Sequence, residues 1–188
     1  MRLLDVLLGR TRLARPKTDA IFGIATAQVD LESRLRIVPT GKAGLCLRPV
    51  ASSFFTSLDE EIQQILKVSG RDAGTKARIV NDDFGFQWVV LESPSFEELV
   101  TTLYGVQQAV VEQGFGAQLL ASVFGFTDKE QPLYWVYAYQ RGKFYPFAPK
   151  AERQRDNALE LQVSAAMERE LPMETALERW YALWGVPV

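Results

Sequence analysis

One stretch of this chain, from Ser95 to Phe147, restricts its fold more than any other: a capped amphipathic helix runs straight into three aromatic-rich segments. Ser95 and Glu98 form a capping box, in which each side chain satisfies a backbone N–H at the helix start. Phe96, Leu99, Leu103, Val106 and Val110 then recur at helical spacing, and Gly114 supplies a stop. Leu119 to Phe126, Leu133 to Tyr139 and Lys143 to Phe147 carry the aromatic and aliphatic residues that favour strands. Their connectors, TDKEQP and QRGK, are hairpin material. Leu133 to Tyr139 is apolar at both alternating sets of positions, which predicts a central strand covered on both faces.

The rest of the chain is read around that block. Ala20 to Ile24 suggests a short helix, followed by irregular chain up to Gly41, and Leu45 to Leu47 reads as a strand ended by Pro49. Ser57 with Glu60 is a second capping box, and Ile62, Ile65 and Leu66 share one face of a helix ending near Gly70. Ala77 to Val80 and Phe86 to Leu91 read as two strands joined by the turn NDDFG. Two helices are expected after Pro149, about Arg155 to Glu170 and Glu174 to Leu183. The second would start at Pro172 and carry Met173, Leu177, Trp180, Tyr181 and Trp184 along one side.

Strands grouped between helices, rather than alternating with them, predict an α+β fold. The expected architecture is a single domain with an antiparallel sheet. Its meander in the C-terminal half packs against the long central helix and two C-terminal helices. Residues 1–17 form an amphipathic N-terminal helix and basic segment, and 18–188 form the domain.

Composition narrows the function. A chain of 188 residues with 47% hydrophobic content can bury a sizeable core. A formal charge of -2 provides no concentrated positive surface for nucleic acid. Cys46 is the only cysteine, so no intrachain disulfide can form, which suits a reducing compartment. The apolar part of MRLLDVLLGRTRLARPK is too short to span a bilayer, and Asp5 interrupts any signal-peptide core. The expected location is therefore cytoplasmic, with a peripheral position at the inner face of the membrane left open.

Catalytic chemistry finds few residues to work with. Histidine is absent, which removes the commonest general base and every Ser-His or Cys-His nucleophile pair. Neither GxGxxG nor a P-loop occurs, and no cofactor motif is present. Cys46, between Leu45 and Leu47, reads as a core thiol. Asp82 and Asp83 are adjacent in a turn and point apart, so they read as turn residues rather than metal ligands.

Three features compete as interaction sites. Leu3, Leu4, Leu7 and Leu8 make an apolar face two turns long, followed by Arg10, Arg12, Arg15 and Lys17. That pairing suits an acidic partner helix or an anionic membrane, and it equally suits a helix capping the domain core. The stripe Trp180, Tyr181 and Trp184 is open to the same two readings, core or binding face. The third is a polar cluster beside the aromatic strand end: Tyr145, Phe147, Arg155, Asp156 and Asn157. It could line a small-ligand or enzyme pocket, while Asp156 or Asn157 could equally cap the next helix.

The chain also resembles a known family. The segments LLDVLLGRTRLARPKTDAIF, PTGKAGLCLRPV, DDFGFQWVV, EQGFGAQLLASVFGF, YQRGKFYPFAP with RDNALELQ, and ERWYALWGVPV are similar, in order, to the PspA-associated protein B family. The resemblance covers most of the chain, and RGKFYPFAP followed by RDNALELQ is its most distinctive part. It implies an accessory role in a phage-shock-type envelope stress response. The partners it implies are the PspA coiled-coil protein or an associated HtpX-type membrane protease. It brings no catalytic residues, so an adaptor is the favoured expectation and a ligand-binding protein or enzyme the alternative. The number of copies in the assembly is left open.

Overall fold

The aromatic strands have apolar side chains on both faces, and the computed structural model, which describes residues 19–49, 58–65 and 74–188, supplies a layer for each. After a single 3₁₀ turn at Asp19–Phe22 come helix α1 (Gly23–Leu35), strand β1 (Ile37–Leu47) and helix α2 (58–65). Strands β2 (Lys76–Asn81) and β3 (Gln87–Glu92) lead to α3 (Phe96–Glu112). The meander β4 (Leu119–Asp128), β5 (Gln131–Ala138) and β6 (Lys143–Phe147) follows. A two-residue pair, β7 (Pro149–Lys150) and β8 (Gln154–Arg155), precedes α4 (Asn157–Met167).

The main sheet has six strands in the order β2-β3-β1-β4-β5-β6, every neighbour antiparallel. Its first face meets the helices. The stripe Leu99, Leu103, Val106 and Val110 of α3 is fully buried against Leu45, Val89, Phe124, Trp135 and Tyr137 of the sheet. The Ser95 side chain accepts the Glu98 N–H at 3.3 Å, as the capping box predicts. One polar chain is buried within this layer: the Tyr139 hydroxyl joins Gln107 of α3 to Ser122 of β4. The expected α+β fold is the observed one.

Three local readings are corrected. Residues 25–35 are not irregular but continue α1, which buries Ile24, Ala27 and Leu31 at spacings of three and four. That stripe is a single line among polar residues, too thin to stand out. The helix ends on Arg36, left-handed at φ 59°, whose N–H bonds the Glu32 carbonyl at 3.1 Å.

Strand β1 is eleven residues long, not three. The sequence suggests irregular chain up to Gly41, but the pairing with β4 shifts register between Pro39 and Ala43, and this irregularity accommodates Pro39 and Gly41 within the strand.

The last correction concerns Glu174–Leu183, which does not form a helix beyond a 3₁₀ turn at Leu177–Arg179. Met173 bridges to Phe144, and the Glu174 N–H bonds the Phe144 carbonyl at 2.8 Å, so the chain is held extended against the β6 edge. Beyond that point it becomes a strap across the second face of the sheet. The aromatic residues predicted for one helical stripe are used there one at a time.

Candidate functional site

In an antiparallel sheet, residues directly opposite each other share a face. The registers align Trp88, Cys46, Ala121 and Ala138 in one row across β3, β1, β4 and β5 on the second face. The next row runs Val90, Gly44, Val123, Val136 and Tyr145. The first row is small in its middle, with a thiol and two methyl groups, so the sheet surface is sunken between the Trp88 and Tyr145 rings.

The strap roofs this depression. Its irregular backbone is tied down by side chains donating to its carbonyls. Arg155 Nη1 donates to Trp180 O at 2.5 Å, the Tyr145 hydroxyl to Tyr181 O at 3.2 Å, and Arg78 Nη2 to Pro187 O at 2.7 Å. Trp180 Nε1 donates to Glu174 O at 2.9 Å. Trp184 packs edge-on against Phe147 with centroids 5.1 Å apart, and Trp180 stacks on Tyr145 at 6.4 Å. Val188 enters a slot at Gly44, where a Cβ would lie 2.7 Å from its Cγ2 and 3.0 Å from the Trp88 ring. Only glycine leaves that approach open.

A cavity of about 440 Å³ remains between strap and sheet. Cys46, Ala121 and Ala138 line it from the sheet; Tyr181, Leu183 and Trp184 line it from the strap. Phe84, Phe86 and Tyr181 line it while remaining exposed, which makes an aromatic rim. Its volume and apolar lining fall within the range of small-ligand sites.

Electrostatics set what the cavity can do. Burial, with the nearby Asp82 charge, pushes the Cys46 thiol up to about 12, so it stays protonated and is no nucleophile near neutrality. Burial likewise raises the Tyr145 hydroxyl, against the lowering influence of Arg141 and Arg155. Asp82 spends its carboxylate locally. One oxygen accepts the Phe84 and Phe86 N–H groups, each at 2.9 Å, and the other accepts Trp88 Nε1 at 2.9 Å. It therefore shapes the β2–β3 turn, where Gly85 takes φ +82°, and it fixes the Trp88 ring. Asp83 is exposed.

The polar cluster expected beside Tyr145 separates into three places. Tyr145 lines the cavity. Arg155 and Phe147 meet elsewhere: the guanidinium lies 5.2 Å over the Phe147 ring and pairs with buried Glu160 at 2.9 Å. Glu160 also accepts the Ala148 N–H at 2.8 Å, so this pair ties α4 to the end of β6. Asp156 caps α4 by accepting the Leu159 N–H at 3.1 Å. Hydrogen bonding to Lys150, then to Leu159, holds its carboxyl down at about 2, against a slight burial penalty. Asn157 is exposed in the first turn of α4. Leu3, Leu4, Leu7, Leu8, Arg10, Arg12, Arg15 and Lys17 lie outside the described residues.

A second buried ion pair anchors the strap. Glu174 pairs with Arg141 Nε at 2.9 Å and accepts the Ala176 N–H, while Arg141 lies 5.5 Å over the Tyr181 ring. Sequence reasoning missed Glu174 and, apart from Tyr145, the residues that line the cavity. The available signal was the alternation that places Cys46, Ala121 and Ala138 on one face, readable only once the strand registers are known. Among the described residues no cluster of three or more acidic or thiol side chains is placed to hold a metal ion. No described helix is long and apolar enough to cross a membrane.

The family model for PspA associated protein B matches residues 1–188, the whole chain. No curated protein and no solved structure matches it at a significant level.

Proposed function

The chain belongs to the PspA associated protein B family, and on that premise we propose that it is a non-enzymatic accessory of a PspA-type envelope stress response. The observation that carries this reading is the whole-chain family match, because the family's name indicates association with PspA. In this reading the protein works in the cytoplasm, at the inner face of the membrane, as an adaptor for the PspA coiled-coil protein. An HtpX-type membrane protease is the other partner considered.

The N-terminal segment is the proposed contact. Leu3, Leu4, Leu7 and Leu8 would present the apolar face, and Arg10, Arg12, Arg15 and Lys17 would steer it towards acidic helices or anionic lipid. Titration of the purified full-length chain with purified PspA-type protein tests this. The expected result is saturable binding that is lost when Leu4 and Leu8 are both replaced by Asp, with the melting temperature unchanged. Absence of binding overturns the reading as a direct adaptor of PspA, and binding unaffected by the double replacement moves the contact elsewhere.

The cavity beside Tyr145 favours a second reading, in which the chain also binds a small ligand.

A further inference from the structure

The cavity has three properties that together restrict what fills it. Its floor is the row Cys46, Ala121 and Ala138, which offers thiol and methyl surface and no free hydrogen-bonding group apart from the weak S–H. Its walls are largely aromatic, with Trp88, Tyr145 and Trp184 among the residues that line it. Its volume of about 440 Å³ exceeds any single side chain. At ~30 Å³ per water-sized group it has room for about fifteen heavy atoms.

Charge at the mouth is asymmetric. Asp82 is acidic, but both its oxygens already accept hydrogen bonds from Phe84, Phe86 and Trp88. Arg141 is committed to Glu174 and to the Arg179 carbonyl. Arg48 also lines the cavity, is exposed, and has no carboxylate partner among the described residues. An occupant therefore meets apolar surface inside and, at the edge, one guanidinium that has no carboxylate partner among the described residues. A guanidinium recognises a carboxylate by paired, charge-assisted hydrogen bonds.

We propose that the cavity between the strap and the sheet is a binding site for a monoanionic amphiphile, an apolar body of about fifteen heavy atoms with a carboxylate held by Arg48. This rests on the ligand-binding reading and is independent of the association with PspA. The apolar body lies over Ala121 and Ala138 between the Trp88 and Trp184 rings. The carboxylate stays at the solvent edge, where its desolvation cost is small.

The probe is dodecanoate, kept below its micelle-forming range, with dodecanol as the neutral control. Calorimetric titration of the full-length protein is expected to show one saturable site for dodecanoate. Arg48→Gln should weaken dodecanoate roughly tenfold and leave dodecanol unchanged. Ala138→Leu fills the floor and should abolish binding of both. Slow alkylation of Cys46 by iodoacetamide at pH 9, where a small fraction of the buried thiol ionises, locates the site without any substitution, because it is the only cysteine. Bound dodecanoate should slow that labelling at least tenfold.

Each failure has its own meaning. If neither probe binds, the ligand-binding reading and the proposal fall together. If dodecanol binds as tightly as dodecanoate and Arg48→Gln changes neither, the cavity binds ligand but the anionic class is wrong. Dodecanoate binding that leaves Cys46 labelling unchanged places the ligand elsewhere and overturns the site. If no free carboxylate binds but the PspA-type protein protects Cys46, the pocket belongs to a protein segment and the small-ligand proposal is overturned.

Discussion

The two faces of this sheet are covered by different physics. On the first face α1, α2, α3 and α4 satisfy their own backbones, so their side chains are free to pack, and they close the layer over Trp135, Tyr137 and Phe144. On the second face the strap has almost no secondary structure of its own. Its carbonyls are satisfied by Arg78, Arg155 and Tyr145 reaching from the sheet and its margin. Regular elements pack densely, whereas an irregular strap hung on a few long side chains leaves space beneath it. That space is the cavity.

The difference can be broken from either side. Arg155→Ala should have the largest effect, because it strands the buried Glu160 carboxylate and releases Trp180. Losing one partner of a buried ion pair costs about 3–5 kcal/mol. Chemical denaturation should show the loss, and tryptophan emission should shift to the red as the strap lifts. Leu103→Ala, in the centre of α3, should cost about 3 kcal/mol, within the usual range for a truncated core leucine. Its native emission should not shift to the red, because Trp135 stays buried in the apolar layer and Trp180 and Trp184 lie on the other face.

Asp156→Ala should cost about 1 kcal/mol, the usual value for a lost helix N-cap, and it also carries a pH signature. The folded carboxyl sits at about 2 against an ordinary 3.8. Between these values the unfolded chain binds the extra proton, so stability falls as pH drops from about 4 to about 2. Acid denaturation curves should lose that component in the variant. The smallest effect near neutral pH is expected at Cys46, whose contribution changes only in alkali. Its thiol, raised from 9.0 to about 12, keeps its proton while the unfolded thiol ionises. Stability contributed by the neutral thiol is therefore intact below pH 9 and declines as pH rises towards 12. Labelling rates that keep climbing up to pH 11, with no plateau near 9, would confirm it.

The two faces also differ in how far the sequence revealed them. α3 was legible because five apolar residues at helical spacing and a capping box agree with each other, and local signals of this kind survive without tertiary context. The meander was legible for the same reason. The strap was not, since Trp180, Tyr181 and Trp184 fit a helical stripe by spacing alone. What prevents the helix is non-local: the Phe144 edge that captures Met173 and Glu174, and the Arg141 that pairs with Glu174. The candidate site was half legible. Tyr145 was singled out and lines the cavity, but Cys46, Ala121 and Ala138 are distant in sequence and only strand register brings them together. Arg155 was read as a polar site residue, and the structure uses it to hold the strap.

Native-state hydrogen exchange, followed residue by residue in rising denaturant, tests the division of the two faces most directly. The amides of Glu174 and Trp180 should exchange through a partial opening with weak denaturant dependence. Those of Leu103 and Val106 in α3 should exchange only through global unfolding. Glu174 and Trp180 amides with the same opening free energy and denaturant dependence as α3 would show a single cooperative unit. That result would contradict the account of a strap held separately over a ligand cavity.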